Sequence, residues 1–351
     1  MRAAVLEGPG RIVVRSFEEP WPGPRDLVVR VRCAGICGTD LALWSGDYAA
    51  EYPLVPGHEF CGVVEAIGEE VEGRFMGAFV TSEISLSCLT RREPEPCAAC
   101  RDRMPSHCLH RRVLGLRGVP GAFAERVLIP AGAAHILPEG LSPWAGAAVE
   151  PVAAAMRTFE VTPIEADQTV VVLGAGRLGL LVTRIATSYG AKVIAASRSK
   201  EKRDLALRFG ASEALDASSD GLADAVRVRT GGLGAHLVVE CTGHPRGPGL
   251  ALSLVRAGGT VALKSTPGRP AEGFDPTEVV VKEIRIQGSR CGPYDKAIER
   301  LAAGRIPVDD FVAGTFSLDE IETAFEAARH SGKVLIEFPE PDDEECGHHH
   351  G

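Results

Sequence analysis

The chain has 351 residues, 45% of them apolar, with a formal net charge of -9 and an isoelectric point near 5.7. That length exceeds one ordinary hydrophobic core, so two domains are expected, and the acidic balance gives no electrostatic reason for a nucleic acid or an anionic membrane as partner. No stretch approaches about eighteen uninterrupted apolar residues, and Glu7 comes too soon for a signal peptide, so a cytoplasmic protein is expected.

Residues 1 to 140 carry short β-branched runs separated by turn residues: Ile12 to Val14, Leu27 to Val31, Cys61 to Ile67 and Ala124 to Ile129, with Pro20, Pro22, Gly23 and Pro24 between the first two. The pattern predicts a compact all-β domain of barrel or sandwich form, with one helix starting near Thr39. Val29 and Val31 alternate with Arg30 and Arg32, the pattern of a half-buried strand. Between residues 33 and 59, Cys37 offers a thiolate, His58 an imidazole and Glu59 a carboxylate, a donor set suited to zinc. Three protein ligands leave a position open, as a catalytic site requires.

Cys97 and Cys100 are two residues apart, and Cys108 follows after seven more. A tight turn in such a pair lets both sulfurs face one ion, and Cys88 is the natural fourth thiolate. Four thiolates leave no vacancy, so this zinc is structural. A Cys97–Cys100 redox pair and an empty lobe are the competing readings, and His107 is an alternative ligand. Ten cysteines with no export signal fit thiols kept reduced.

From about residue 142 strands and helices alternate, which implies a parallel sheet with crossover helices. Ser142 before Pro143 is a sound helix start, and that helix is expected to carry Glu150 and Pro151. The run Val170 to Leu173 reads as a buried strand, and Gly174-Ala175-Gly176-Arg177-Leu178-Gly179 follows it at once. Placed between strand and helix, these glycines mark a dinucleotide site: the first permits the turn, the second admits the pyrophosphate and the third lets helix pack on sheet. A second strand, Lys192 to Ala196, ends in Ser197-Arg198-Ser199-Lys200, with no acid to accept from a ribose 2′-hydroxyl. NADP(H) is therefore expected to be preferred over NAD(H), with Arg198 at the 2′-phosphate, Lys200 or Lys202 as a further candidate, and Ser197 donating to it. Further strands fall at Leu237 to Glu240, Thr260 to Leu263 and Glu283 to Ile286. Cys241-Thr242-Gly243 lies where the cofactor is expected, and Thr242 is a contact candidate.

The expected domains are 1–147, with a cysteine lobe at about 88–108; 148–288 for the dinucleotide; 289–340 returning to the first; and a disordered acidic, histidine-bearing tail at 341–351.

Together these motifs resemble the zinc-dependent medium-chain dehydrogenase/reductase family, the alcohol and polyol dehydrogenases. The resemblance implies a GroES-like β domain joined to a Rossmann domain, with the active site in the cleft between them. It also implies that Glu150, in Val149-Glu150-Pro151, is the third ligand of the catalytic zinc, as in glutamate-type relatives. Glu59 then becomes a transient ligand or stands outside the ligand set, and Asp40 holds the second nitrogen of His58. The wider interval between Cys88 and Cys97 and the Ala42 that replaces a relay histidine are departures. The implied reaction is hydride transfer between an alcohol, polyol or sugar (or its carbonyl) and the nicotinamide, with Thr39 moving the proton. Relatives are dimers or tetramers, so a homodimer or homotetramer is expected. A non-catalytic dinucleotide-binding sensor and a zinc-free quinone or enoyl reductase are the rival readings.

Overall fold

The computed structural model describes residues 1–266, 268–330 and 332–339, so the tail at 341–351 lies outside the described residues. The chain forms two compact units, one from Met1–Glu150 with the chain from Pro307 onward, the other from Pro151–Ile306.

The first unit is built on the strand Asp26–Gly35, which pairs antiparallel with Glu59–Ile67, Arg126–Pro130 and Lys333–Glu337. Phe79–Ser82 and Ala134–Ile136 extend this sheet on one side and Val312–Phe316 on the other. Val29 and Val31 are buried while Arg30 and Arg32 are half-buried, so the alternation read from the sequence is the core face of this strand. Phe325, on the helix Ile321–His330, meets Trp44 and Phe123 edge to face with ring centroids 5.8 Å apart in each pair. Burying a ring of that size stabilises by about 1.5–3 kcal/mol, which ties the late helix to the early strands. The predicted helix near Thr39 spans Gly38–Ser45.

The second unit holds a six-stranded parallel sheet in the order Glu213–Asp216, Lys192–Ser197, Thr169–Leu173, Ala235–Glu240, Val255–Leu263, Arg285–Gly288. The earliest strand lies in the middle and the order reverses beside it, which opens a crevice at the carboxyl ends of the strands. Every residue of Thr169–Leu173 is buried, because helices cover both faces of such a sheet. Five of the six strands are legible in the sequence. Glu213–Asp216 has only Ala214 and Leu215 as apolar residues and lies at the sheet edge, too short for a period to show.

Two expectations need correction. The helix begun by Ser142, whose hydroxyl accepts from Ala145 N at 3.2 Å, ends at Ala147, and Glu150 lies on a second helix, Val149–Val161. Pro151 has no N–H to continue the first helix, but it fits the opening turn of another, where that donor has no partner within the helix. The helix Tyr294–Ala302, placed by the sequence reading in the return segment, belongs to the second unit. Lys296 pairs with Glu160 at 2.7 Å, and the Arg300 guanidinium lies 5.0 Å from the Tyr189 ring centroid, which fastens it there. Among the described residues no helix is long and apolar enough to cross a membrane.

Candidate active site and metal centres

Cys37 stands at the entry to the helix Gly38–Ser45, and the fully buried Asp40 sits one turn in. The Asp40 carboxylate accepts from Cys37 N at 2.9 Å and from Gly57 N at 3.3 Å, so one acid joins the two loops that bear the first ligand candidates. Its Oδ1 is also 3.4 Å from Nδ1 of buried His58, close enough for charge attraction but outside hydrogen-bond geometry. Gly57 has φ +97, and a Cβ there would sit 2.7 Å from Phe123 N; only glycine lets His58 arrive in place.

One sulfur of Cys37, one ring nitrogen of His58 and one carboxylate oxygen of Glu59 lie within 4.8 Å of one another. Ligands at about 2.0–2.3 Å from a tetrahedral zinc are separated by about 3.3–3.8 Å, so a small closure would enclose the ion. Burial alone would raise the Cys37 thiol, but the charge and hydrogen bond of His58 outweigh it and hold it at about 6. Burial likewise opposes a charged His58, yet Asp40 and Cys37 raise it well above its ordinary value. Cys37 is thus held towards the thiolate form that a zinc ligand requires, and a zinc ion taken up here would compete with a proton for His58.

Glu59 is not simply available. Its carboxylate is bonded to the buried ammonium of Lys333, which also donates to Ile36 O at 3.2 Å. Burial lowers Lys333 to about 8, against the pull of Cys37, Asp40 and Cys33. Gly35 makes room: a Cβ there would fall 2.7 Å from both Glu59 Oε2 and Lys333 Cε. Glu150 is buried in the first turn of its helix and is not among the three converging groups. The Thr39 hydroxyl is 3.8 Å from Cys37 Sγ.

Cys88, Cys97, Cys100 and Cys108 form a second buried group with all ligand sulfurs within 4.8 Å. Cys88 and Cys108 sulfurs are 3.5 Å apart and those of Cys97 and Cys108 3.8 Å, near the edge of about 3.8 Å that a tetrahedral four-thiolate zinc requires. All four are free thiols, so Cys97 and Cys100 are not a disulfide, and His107 is exposed outside the group. The hydrogen bond from Leu109 N at 3.4 Å, partly opposed by burial, brings Cys97 to about 6, whereas burial pushes Cys100 up to about 12.

In the second unit the three glycines of the turn differ in their surroundings. Gly174 has φ +101, and a Cβ there would meet the Cys241 carbonyl and Thr242 N at 2.9 Å. Gly176 precedes the helix Arg177–Ser188, and its missing side chain faces open space at that helix start. Gly179 is packed so closely that a Cβ would lie 1.8 Å from Gly174 O. Ser197 is buried at its strand end, while Arg198 and Lys202 are exposed. Lys200 is already paired with Asp204 at 2.7 Å. Arg203 holds this corner by donating to the carbonyls of Ser197 at 2.7 Å and Arg198 at 2.9 Å.

Residues 23–139 match the family described as alcohol dehydrogenase GroES-like domain, and residues 178–303 that described as zinc-binding dehydrogenase. A sorbitol dehydrogenase of Halalkalibacterium halodurans is 30% identical over 333 residues, covering 93% of this chain and 95% of that protein. The chain belongs to the zinc-binding, medium-chain dehydrogenase/reductase family. Two solved members of similar fold carry cofactor. A zinc-binding dehydrogenase of Sinorhizobium meliloti 1021 bound to NADP has a TM-score of 0.87 and 34% identity, with 96% of this chain and 99% of that one covered. A short chain alcohol dehydrogenase of E. coli CFT073 complexed with NADH has a TM-score of 0.88 and 28% identity, with 96% and 99% covered.

As a medium-chain dehydrogenase/reductase with two metal-ligand clusters, the protein is a zinc-dependent oxidoreductase that exchanges hydride with NAD(P)(H) and acts on a small molecule. The non-catalytic and zinc-free readings give way to it. Three residues at these sites escape a reading of the sequence. Lys333 comes from the far end of the chain, and its one signal is a lone lysine opening an apolar strand. Arg203 is hidden among surface charges, and Glu240, buried beneath Thr242, looks like an ordinary strand end.

Proposed function

We propose that the protein interconverts an alcohol, polyol or sugar with its carbonyl, prefers NADP(H), and holds its catalytic zinc with Cys37, His58 and Glu150. The observation that carries this reading is the approach of Cys37 and His58 around the buried Asp40. Glu150 is favoured as third ligand by the family resemblance, and it is a buried acid in a sequence run of buried apolar residues, Ala147 to Val149 and Val152; the Glu59 carboxylate is engaged by Lys333. Glu59 then stands outside the ligand set or serves as a transient ligand. Zinc in such a site supplies a Lewis acid that polarises a substrate oxygen and lowers the pKa of an alcohol. Asp40, 3.4 Å from Nδ1, attracts the ring of His58 by charge and would hold it once the approach tightens, and Thr39 would accept the substrate proton and pass it towards cofactor ribose and water. Ala42 offers no further acceptor, which shortens the relay.

Arg198 and Lys202, exposed beside Ser197 with no acid at that strand end, support recognition of a 2′-phosphate. Gly174, Gly176 and Gly179 would hold the pyrophosphate with the N–H groups of Arg177 and Leu178, and Thr242 would lie further along the cofactor. The nine described cysteines carry no disulfide, in keeping with a cytoplasmic setting. A homodimer or homotetramer is the assembly we favour. The strand Arg285–Gly288 ends its sheet on the surface, with its own Ile286 exposed and Val280 and Val281 of the preceding helix exposed, an edge that pairing would satisfy.

A panel of alcohols, polyols and aldehydes run with both cofactors on zinc-loaded protein tests the proposal. We expect turnover on polyols or sugars with kcat/KM for NADP(H) at least about tenfold above NAD(H), the effect of one charge-assisted contact. A higher value with NAD(H) would remove the cofactor assignment.

A further inference from the structure

We propose that Glu240 is a positioning residue for the nicotinamide half of the cofactor, clasping with Ser265 and Lys264 the three loops that leave the strands Ala235–Glu240, Val255–Leu263 and Arg285–Gly288. The inference rests on a dinucleotide lying across this sheet. In a sheet of this order each half takes one mononucleotide. The glycine turn and Ser197 serve the half with Thr169–Leu173 and Lys192–Ser197, so the other nucleotide falls over the carboxyl ends of the remaining three strands.

Glu240 is 1% exposed at the first of those ends. Its Oε1 accepts from Thr242 N at 2.7 Å and from the Thr242 hydroxyl, and its Oε2 accepts from the Ser265 hydroxyl. Ser265 Oγ in turn accepts from Gly243 N at 3.0 Å, and Thr242 Oγ1 accepts from His244 N at 3.0 Å. The first two loops are therefore stitched through one carboxylate. Gly247 opens the following helix against it, where a Cβ would fall 2.4 Å from Glu240 Oε1 and leave the acid no room.

The third loop is joined from the neighbouring residue. Lys264, also buried, donates from Nζ to Arg290 O at 2.8 Å and to Ser289 O at 3.4 Å. Gly292 then packs so closely on the helix Val149–Val161 that a Cβ would sit 1.6 Å from Ala153 O. A buried carboxylate and a buried ammonium are costly beside well-packed apolar side chains. Placing both at strand ends, bonded to loop backbone and loop hydroxyls, fixes the floor on which a planar ring must lie. The Thr242 hydroxyl proton is directed at Glu240, so Thr242 meets the cofactor through its loop backbone rather than by donating from its side chain.

The test measures binding to the full-length protein by calorimetry, for NADPH against 2′-phospho-ADP-ribose and for NADH against ADP-ribose, each second ligand lacking only the nicotinamide. Glu240→Gln should raise the Kd of the intact cofactors about tenfold and Ser265→Ala about threefold, with the nicotinamide-free ligands within about twofold of wild type. Ser265→Ala removes only the two bonds of a half-buried hydroxyl, to Glu240 and from Gly243 N, and keeps the test decisive should Glu240→Gln unfold. Equal weakening of both ligands of a pair, or no weakening of either, would overturn the proposal. Failure of wild-type protein to bind any of the four would instead remove the dinucleotide placement on which it rests.

Discussion

Asp40 shows how much one side chain organises. A carboxylate with no exposure accepts from two backbone N–H groups on separate loops and also faces the imidazole of His58. Lys333 plays the matching part for Glu59, and removing one member of such a buried pair costs about 3–5 kcal/mol. A quieter residue of this kind is His236, whose Nδ1 accepts from Thr169 N at 3.1 Å. Burial first, and then the charge of Arg256, lower its pKa below the ordinary 6.5. The folded state therefore binds fewer protons than the unfolded one below pH 6.5, and stability contributed by neutral His236 is lost as pH falls through the folded value. His236→Asn keeps an acceptor near that position without the titration. Melting temperatures followed from about pH 7 to about pH 5 should fall less steeply in the variant, and parallel profiles would exclude His236 as a source of the acid sensitivity.

At the scale of elements, the turn Gly174 to Gly179 is the most constrained piece of the second unit. Gly179→Ala would drive a methyl group into Gly174 O, so the helix Arg177–Ser188 must lift from the strand Thr169–Leu173. NAD(P)H binding should drop by at least about tenfold, as fluorescence titration would record; an unchanged Kd would mean the helix start does not hold the pyrophosphate. This turn is legible in the sequence because its three glycines, its strand and its helix are contiguous. The cysteine lobe is legible for the same reason, since ligand spacing along the chain survives as proximity of sulfurs. What escapes is long-range. Glu59 and Lys333 are brought together only by pairing of Asp26–Gly35 with Lys333–Glu337, and neither residue's neighbours announce the other. The placement of Tyr294–Ala302 escapes likewise, because its amphipathic face does not say which core it covers.

For the whole molecule, the chain leaves its first unit after Glu150 and re-enters it at Pro307, so the site around Cys37 is complete only when the last strand and helix have returned. Truncation short of Lys333 would thus leave Glu59 buried without its cation. The uncovered edge strand Arg285–Gly288 makes a prediction at this scale as well. Light scattering should give a mass that is a multiple of 37.1 kDa, and a monomer at all concentrations would end the proposed assembly.

Zinc content and turnover measured on the same preparations of wild type, Glu150→Ala and Glu59→Ala bear most directly on the zinc-dependent chemistry proposed for this chain. Wild type should hold about two zinc ions per chain, Glu150→Ala should lose the catalytic ion and its turnover together while the four-cysteine ion stays, and Glu59→Ala should keep most of its zinc. Unchanged zinc and turnover in Glu150→Ala would contradict the assignment.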